Sequence, residues 1–309
     1  MKKIYQNDDG LSLASHPMDK IPIRDLRFKF KKVENHNPVW SETNPEFSIF
    51  MNALGIHIPY FEKFLVKVMR EYMPEIEDGN LIKDINNIIG QESQHAFNFL
   101  LWTKAMQESY PKLEKLDMDA KSYFNKALER KNKQFKIGFT AGYETFTFLG
   151  GMIILKRYKE LMEVADPTVR AFWVWHQVEE VEHGSVAFDF FKAFYEKKEW
   201  YRRYMVVLTY CHIVKETFKA YSHMIKKEGY YSSLFKTFKA WKFFLSFGFE
   251  LGYTALPVLK RDYHPRNHPI CNDKQSEIAI AWREFYSSGN NALTLTQDDM
   301  DVLLEKKIF

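Results

Sequence analysis

Cysteine is scarce. The 309 residues hold two, Cys211 and Cys271, too few for a disulfide framework, and a reducing, cytoplasmic setting is the expectation. Long hydrophobic runs are missing as well. No segment approaches the ~18–20 uncharged apolar residues of a spanning helix. The opening Met1-Lys2-Lys3-Ile4-Tyr5-Gln6-Asn7-Asp8-Asp9 leads into no apolar signal stretch. The least charged stretches, 145–155, 204–214, 243–249 and 251–259, read as buried helix or an oily surface. Charge of one sign is also missing: the net charge is +4 with both signs mixed throughout. With no basic tail and no base-stacking aromatics at a recognisable spacing, nucleic acid is not expected as a partner. What is plentiful is apolar surface. The hydrophobic fraction is 46%, with 27 Phe and 17 Tyr, ample for the core of one large domain or two ordinary ones.

The apolar positions follow a helical period nearly everywhere, and the expected fold class is all-α. Residues 1–43 read as an irregular arm, in which Ile21-Pro22-Ile23-Arg24-Asp25-Leu26-Arg27-Phe28-Lys29-Phe30 alternates as an extended piece lying over the rest. Residues 44–260 read as the main helical domain and 261–309 as an extension with short helices, one near 277–286 and one starting at Thr296. Asn44-Pro45 starts the first helix as cap and first-turn proline. Phe47, Phe50, Met51, Leu54, Ile58, Phe61, Leu65 and Val68 keep its period, with a kink at Pro59. A second helix is expected over 81–109, a charged segment over 113–133, a third helix over 135–162 and a fourth from Asp166-Pro167 to about 197. Helices over 200–227 and 231–259 follow. The aromatic surface of the latter, Leu234, Phe235, Phe238, Trp241, Phe243, Phe244, Phe247 and Phe249, is expected to cover the core.

Two segments stand out inside apolar runs: Gln91-Glu92-Ser93-Gln94-His95 and His176-Gln177-Val178-Glu179-Glu180-Val181-Glu182-His183. Each places a glutamate and a histidine three apart, on one helix face. Each is preceded by a helix with a lone glutamate in a mostly uncharged run, Glu62 and Glu144. The order Glu, Glu-x-x-His, Glu, Glu-x-x-His is the ligand arithmetic of carboxylate-bridged dimetal four-helix bundles. The intervals between the four glutamates, short then long then short, suit two hairpins joined by a crossover. Buried carboxylates need countercharge, and four of them neutralise two divalent ions. The candidate ligands are therefore Glu62, Glu92, His95, Glu144, Glu180 and His183. Carboxylate with imidazole suits two iron ions, with manganese or zinc compatible, and the lack of nearby cysteine argues against structural zinc or an iron–sulfur cluster.

His176 lies one turn before Glu180 on the same side. It is a candidate extra ligand, a proton relay, or a hydrogen-bond partner of a ligand carboxylate, and the last is preferred because such ligands need oriented partners. Glu179 and Glu182 point away from Glu180's face and read as supporting or solvent-facing. His57, His212, Tyr60 and Tyr143 read as packing.

These segments resemble a bacterial family described as predicted metal-dependent hydrolases, and more distantly the ferritin-like di-iron superfamily. The resemblance runs from about Ile23 to Asn267. It rests on Phe28-Lys29-Phe30, on Asn52-Ala53-Leu54-Gly55 leading to Glu62-Lys63-Phe64, on Gln91-Glu92-Ser93-Gln94-His95, and above all on Trp175-His176 through His183 followed by Val186-Ala187-Phe188-Asp189. It implies a ferritin-like four-helix bundle with additional covering helices. In ribonucleotide-reductase-like relatives a radical tyrosine stands one turn after the first ligand histidine; Phe99 occupies that position here, so no stored radical is implied.

The functional expectation is a di-iron enzyme that activates O2 to oxidise a small apolar substrate, with an electron donor as partner. The alternative is hydrolysis by metal-activated water. No lysine or arginine in the ligand segments is placed to clamp an anion, the nearest, Lys63, facing away from Glu62. A third expectation is non-enzymatic: metal storage, or peripheral membrane contact through the 234–249 face.

Overall fold

Asn44 accepts a hydrogen bond from the backbone N–H of Phe47 and Pro45 occupies the first turn, so α1 spans Pro45–Leu54. The computed structural model describes residues 16–30, 37–271 and 277–305. Among them all regular structure is helical, apart from an isolated bridge between Ser41 and Ala165. The helices are α1, α2 (Ile58–Tyr72), α3 (Gly79–Met106), α4 (Leu113–Arg130), α5 (Lys133–Lys156) and α6 (Tyr158–Met162). They continue with α7 (Pro167–Glu182), α8 (Val186–Tyr195), α9 (Glu199–Lys227), α10 (Leu234–Thr254), α11 (Glu277–Ser287) and α12 (Gln297–Glu305).

The expected single kinked helix after Asn44 is corrected to two. Pro59 has no N–H to return to the Gly55 carbonyl, and it is far better placed in the first turn of a new helix than inside an old one. The chain therefore breaks at 55–57 and restarts as α2. The expected fourth helix also divides, at 183–185, leaving His183 just beyond the last turn of α7. Aspartate and asparagine caps start the others: Asp78 on α3, Asn132 on α5 and Asp166, followed by Pro167, on α7.

Helices α2, α3, α5 and α7 form a ferritin-like four-helix bundle. The pairs α2/α3 and α5/α7 pack along each other, α2 touches α5, and α4 lies in the crossover against α2. Helix α9 covers α1 and α5, α8 closes against α5 and α3, and α10 rests on α1 and α5. The core is continuous and aromatic. Phe47, Phe61 and Phe64 are fully buried, each contributing roughly 1.5–3 kcal/mol by leaving water. No helix among the described residues is long and apolar enough to cross a membrane.

Residues 21–30 form an arm, as their alternation requires. Ile21, Arg24, Leu26 and Phe28 point inward. Asn98 of α3 grips the arm from both sides, accepting from the Phe28 N–H and donating to the Leu26 carbonyl.

The expectation for α10 holds for one side of the helix, where Trp241 and Phe243 also pack on the core. Its Phe244 and Phe247 are buried, but Leu234, Phe235, Phe238 and Phe249 face outward. Helix α10 spends one side on its neighbours, and among the described residues the aromatic stripe of the opposite side is left exposed.

Two glycines of α5 make a paired prediction. A Cβ at Gly142 would stand 2.9 Å from the Met205 carbonyl oxygen and 2.7 Å from Thr209 Oγ1 of α9, whereas one at Gly150 meets nothing within 4 Å. Gly142→Ala is expected to cost about 1–3 kcal/mol, and Gly150→Ala to stabilise by up to about 1 kcal/mol through helix propensity. Thermal unfolding of the two variants checks both signs.

Candidate metal centre

The four bundle helices each aim acidic or imidazole groups at one interior volume. Helix α2 supplies Glu62, α3 supplies Glu92 and His95, α5 supplies Glu144, and α7 supplies His176 and Glu180, with His183 following it. All seven are buried. Two groups have ligand atoms that lie within 4.8 Å of one another: Glu62, His95, His176 and Glu180, and Glu92, His95, Glu180 and His183. His95 and Glu180 belong to both. His95 Nδ1 lies 3.5 Å from Glu180, 3.7 Å from Glu92 and 3.8 Å from Glu62. His183 Nε2 lies 3.1 Å from Glu92, and its Nδ1 lies 3.0 Å from Glu144. Glu144 stands outside both groups of four but reaches the second through this contact.

These atoms fit a metal by what they lack. Both carboxylate oxygens of Glu62, Glu92 and Glu144, Nδ1 of His95 and both ring nitrogens of His183 have no hydrogen-bond partner. A buried polar atom left so costs about 1–3 kcal/mol, more when charged. Hard oxygen donors mixed with imidazole, facing one another in an apolar interior, are the donor set of a divalent cation.

Around the donors runs a layer in which both carboxylates, Glu179 and Glu182, are held by cations and amides. Glu179 and Glu182, expected to support the ligands or face solvent, are both buried. Arg24 from the arm donates to Glu179 at 2.8 Å and to both oxygens of Glu182 at 2.8 and 2.7 Å. Glu182 also accepts from Gln91 at 2.8 Å and from Arg283 of α11 at 2.8 Å. The other oxygen of Glu179 lies 2.9 Å from His95 Nε2. That contact turns Nδ1 toward the carboxylates. Two arginines thus balance these two glutamates, and Glu62, Glu92, Glu144 and Glu180 are left with a formal charge that two divalent ions would match.

Sequence reasoning passed over Arg24, Arg283, Gln91 and Gln177. Only Arg24 carried a signal: the alternation of the arm puts it on the face of Leu26 and Phe28, where a charge demands a partner. Gln177 holds His176. Its amide nitrogen lies 2.9 Å from His176 Nδ1, and His176 Nε2 lies 2.9 Å from Glu180 Oε1. His57 and His212 lie elsewhere: His57 Nε2 is 3.7 Å from Glu216, and His212 Nδ1 is 3.1 Å from the Tyr143 hydroxyl. Tyr60 donates to Asp117 at 2.7 Å. The ring of Phe99 stands 4.7 Å from that of His176 and offers no hydroxyl.

Without metal the centre favours ionisation of His95 and Glu180 and opposes it at Glu62, Glu92, Glu144 and His176. Burial, and then the charge of Glu92, raises Glu62 well above the usual carboxylate range. Burial followed by Glu180 does the same to Glu144 and brings Glu92 to about 7. For His95, burial alone would lower the pKa, but Glu179, Glu180 and Glu92 outweigh it and raise it well above 6.5. His176 goes the other way: burial lowers it to about 4. Glu180 ends well below 4.5, burial being overcome by His176 and His183.

A group whose folded pKa is raised binds its proton more tightly folded than unfolded, so its stability is lost as pH climbs through the folded value. The opposing contribution of His176 ends at its unfolded value of 6.5. Chelated protein is therefore expected to melt progressively lower as pH rises above about 6.5. Metal-loaded protein should show little slope there, and loading should release protons. Scanning calorimetry with and without chelator, and a dye-monitored titration with metal, read both effects.

A protein-family model described as "Predicted metal-dependent hydrolase" matches residues 22–269. Neither the curated proteins nor the solved structures give a match.

Proposed function

The chain belongs to the predicted metal-dependent hydrolase family, and on that footing we propose that it hydrolyses a small amphipathic anion, a phosphate or carboxylate-bearing ester with an apolar group, at a two-metal centre. One observation carries the reading. A cleft of about 300 Å³ opens between α2 and α3, and Glu92 forms part of its lining. Lys63, Lys67 and Arg70 line it at spacings of four and three along α2, which puts them on one face. Across from them stand Ala96, Phe97 and Leu100 of α3, and the Arg27 guanidinium lies 4.3 Å from the centre of the Phe97 ring.

This changes the weight of the sequence argument against hydrolysis. Lys63 does face away from Glu62, being exposed where Glu62 is buried, but it faces the cleft and is not alone there. In this reading Lys63, Lys67 and Arg70 hold the anionic end of the substrate, and Val66, Ala96, Phe97 and Leu100 hold the rest. Glu62, Glu92, His95, Glu144, Glu180 and His183 hold the metals. When bound, two divalent ions supply Lewis-acid polarisation and activation of water. Glu179 fixes the ring of His95. The Gln177 amide holds the His176 ring with Nε2 turned toward Glu180, 2.9 Å away, and in this reading His176 positions that carboxylate.

The second reading is O2-dependent oxidation of an apolar molecule at a di-iron centre, with an external electron donor. The aromatic wall favours it: Phe99, Trp173 and Trp175 ring the histidines at centroid distances of 4.7 to 5.8 Å.

The test combines metal analysis of anaerobically purified protein with assays on anionic nitrophenyl phosphates and esters. The proposal expects two divalent ions per chain, hydrolytic turnover, and a KM raised about tenfold or more by Lys67→Glu with kcat little changed, as for loss of uniform binding. Two irons that become ferric together on adding O2, with no hydrolysis, would transfer the assignment to the second reading. A protein that binds no metal after reconstitution would end both.

A further inference from the structure

Helices α9 and α10 lie side by side and run in opposite directions. The rings of Phe218 and Trp241 meet at 5.1 Å, and further along Tyr210 donates to the Gly248 carbonyl at 2.7 Å. Each helix carries a second apolar stripe beside this seam, turned to solvent. On α9 it holds Trp200, Tyr204 and Val207, exposed by 81%, 57% and 52%; on α10 it holds Phe238, Leu245 and Phe249, exposed by 65%, 66% and 73%. Spacings of three, four and seven keep each set on one helix face. Patches of this size on one face mark an interaction surface, and none of these side chains serves the metal centre or its cleft.

Charge selects the partner. The acidic residues of the two helices are Glu199, Glu216 and Glu250, and each is tied in an ion pair, to Arg202, Lys219 and Arg157 respectively. The cations are not all so engaged. Lys242 stands within the α10 stripe, between Phe238 and Leu245, exposed and without an ion pair among the described residues. Arg203 lies beside Trp200, its guanidinium 5.0 Å from the ring centre. A second copy packed face to face would bury the Lys242 ammonium in an apolar interface. A bilayer would not, since a lysine can lift its charge to the headgroups while its neighbours sink. Tryptophan and tyrosine at the rim are the residue types that favour that boundary.

We infer that the α9–α10 face is a membrane-docking surface, which seats the protein on a bilayer bearing anionic lipid, with Phe238, Leu245 and Phe249 entering the acyl boundary and Lys242 and Arg203 meeting headgroups. The mode is that of an interfacial amphipathic surface, which binds by buried apolar area together with attraction to anionic lipid. The inference stands apart from the hydrolase reading, since it uses no residue of the centre.

Flotation with vesicles of phosphatidylcholine, alone or mixed with phosphatidylserine, tests it on the full chain. The protein is expected to float with the mixed vesicles, less with phosphatidylcholine alone, and less as salt is added. Phe238→Ser with Phe249→Ser should lower the bound fraction about tenfold or more without moving the melting temperature, because both side chains are already in water. Lys242→Glu should weaken binding to the mixed vesicles only. Tryptophan fluorescence should shift to the blue on vesicles and should not do so in Trp200→Phe, whose remaining tryptophans are mostly buried already. Failure of folded wild-type protein to float with mixed vesicles at low salt would overturn the inference. So would sedimentation showing a dimer that the double substitution dissociates while vesicles remain unbound.

Discussion

Arg24→Ala is expected to cost roughly 3–5 kcal/mol, because it leaves Glu179 and Glu182 buried with their shared cation gone. Arg283 still reaches Glu182, so the heavier loss falls on Glu179, whose described partners are Arg24 and His95. The melting temperature should drop on the order of 10 °C. Arg24→Lys should recover only part of this, since one ammonium cannot reproduce the fork that serves two carboxylates. The effect should extend to the centre. With Glu179 no longer held, the ring of His95 loses its orientation, and metal affinity should fall about 10–100-fold, the usual effect of removing an outer partner of a ligand. Calorimetry of the chelated protein and a competitive metal titration separate the two losses. An Arg24→Ala protein as stable as wild type would mean that the buried carboxylates are neutral and the arginine is a packing residue.

Glu180→Ala is expected to strip the centre as completely as any single change, His95→Ala alone being its equal. Glu180 and His95 are the residues common to both ligand groups, whereas Glu62 serves one. Elemental analysis should therefore find Glu180→Ala close to metal-free and Glu62→Ala retaining about one ion per chain. A companion substitution gives a crossing that ordinary damage cannot mimic. Glu62→Gln removes a carboxyl that burial and Glu92 hold well above its usual range. Chelated Glu62→Gln should therefore be more stable than chelated wild type at pH 8, where wild type must hold either a proton or a buried charge at that position. With metal present the order should reverse.

The bundle was legible because two kinds of signal agreed. The helical period of the apolar residues outlined the elements, and the spacing of glutamate and histidine singled out the faces that meet. Boundaries were less legible where one residue had two good uses. Pro59 kinks a long helix or opens a new one, and only packing around Gly55 to His57 decides between them. His183 looks like a mid-helix residue in the sequence, yet the helix ends just before it. The paired layer outside the donors was mostly invisible because its members are far apart in the chain. The Arg24–Glu182 contact spans 158 positions and the Arg283–Glu182 contact 101, and no local pattern links such residues. The outer side of α10 was misjudged for the opposite reason. Its local pattern is strongly apolar, but apolar periodicity says only that a face avoids water, and not whether protein or something else covers it.

The convergence of Arg24 and Arg283 on Glu182 sets an order of assembly. The arginine from the arm is made early and must wait for α7; the one from α11 arrives about a hundred residues after Glu182, late in translation. Until both are in place, Glu182 carries a charge that the apolar interior cannot hold. The interior around the ligands should thus be the last part to become dry. A chain released before α11 would lack one of the two cations that hold Glu182. In the completed chain both arginines close on the same carboxylate, and the ligand glutamates are left in an apolar interior where a bound cation or a proton must balance each charge.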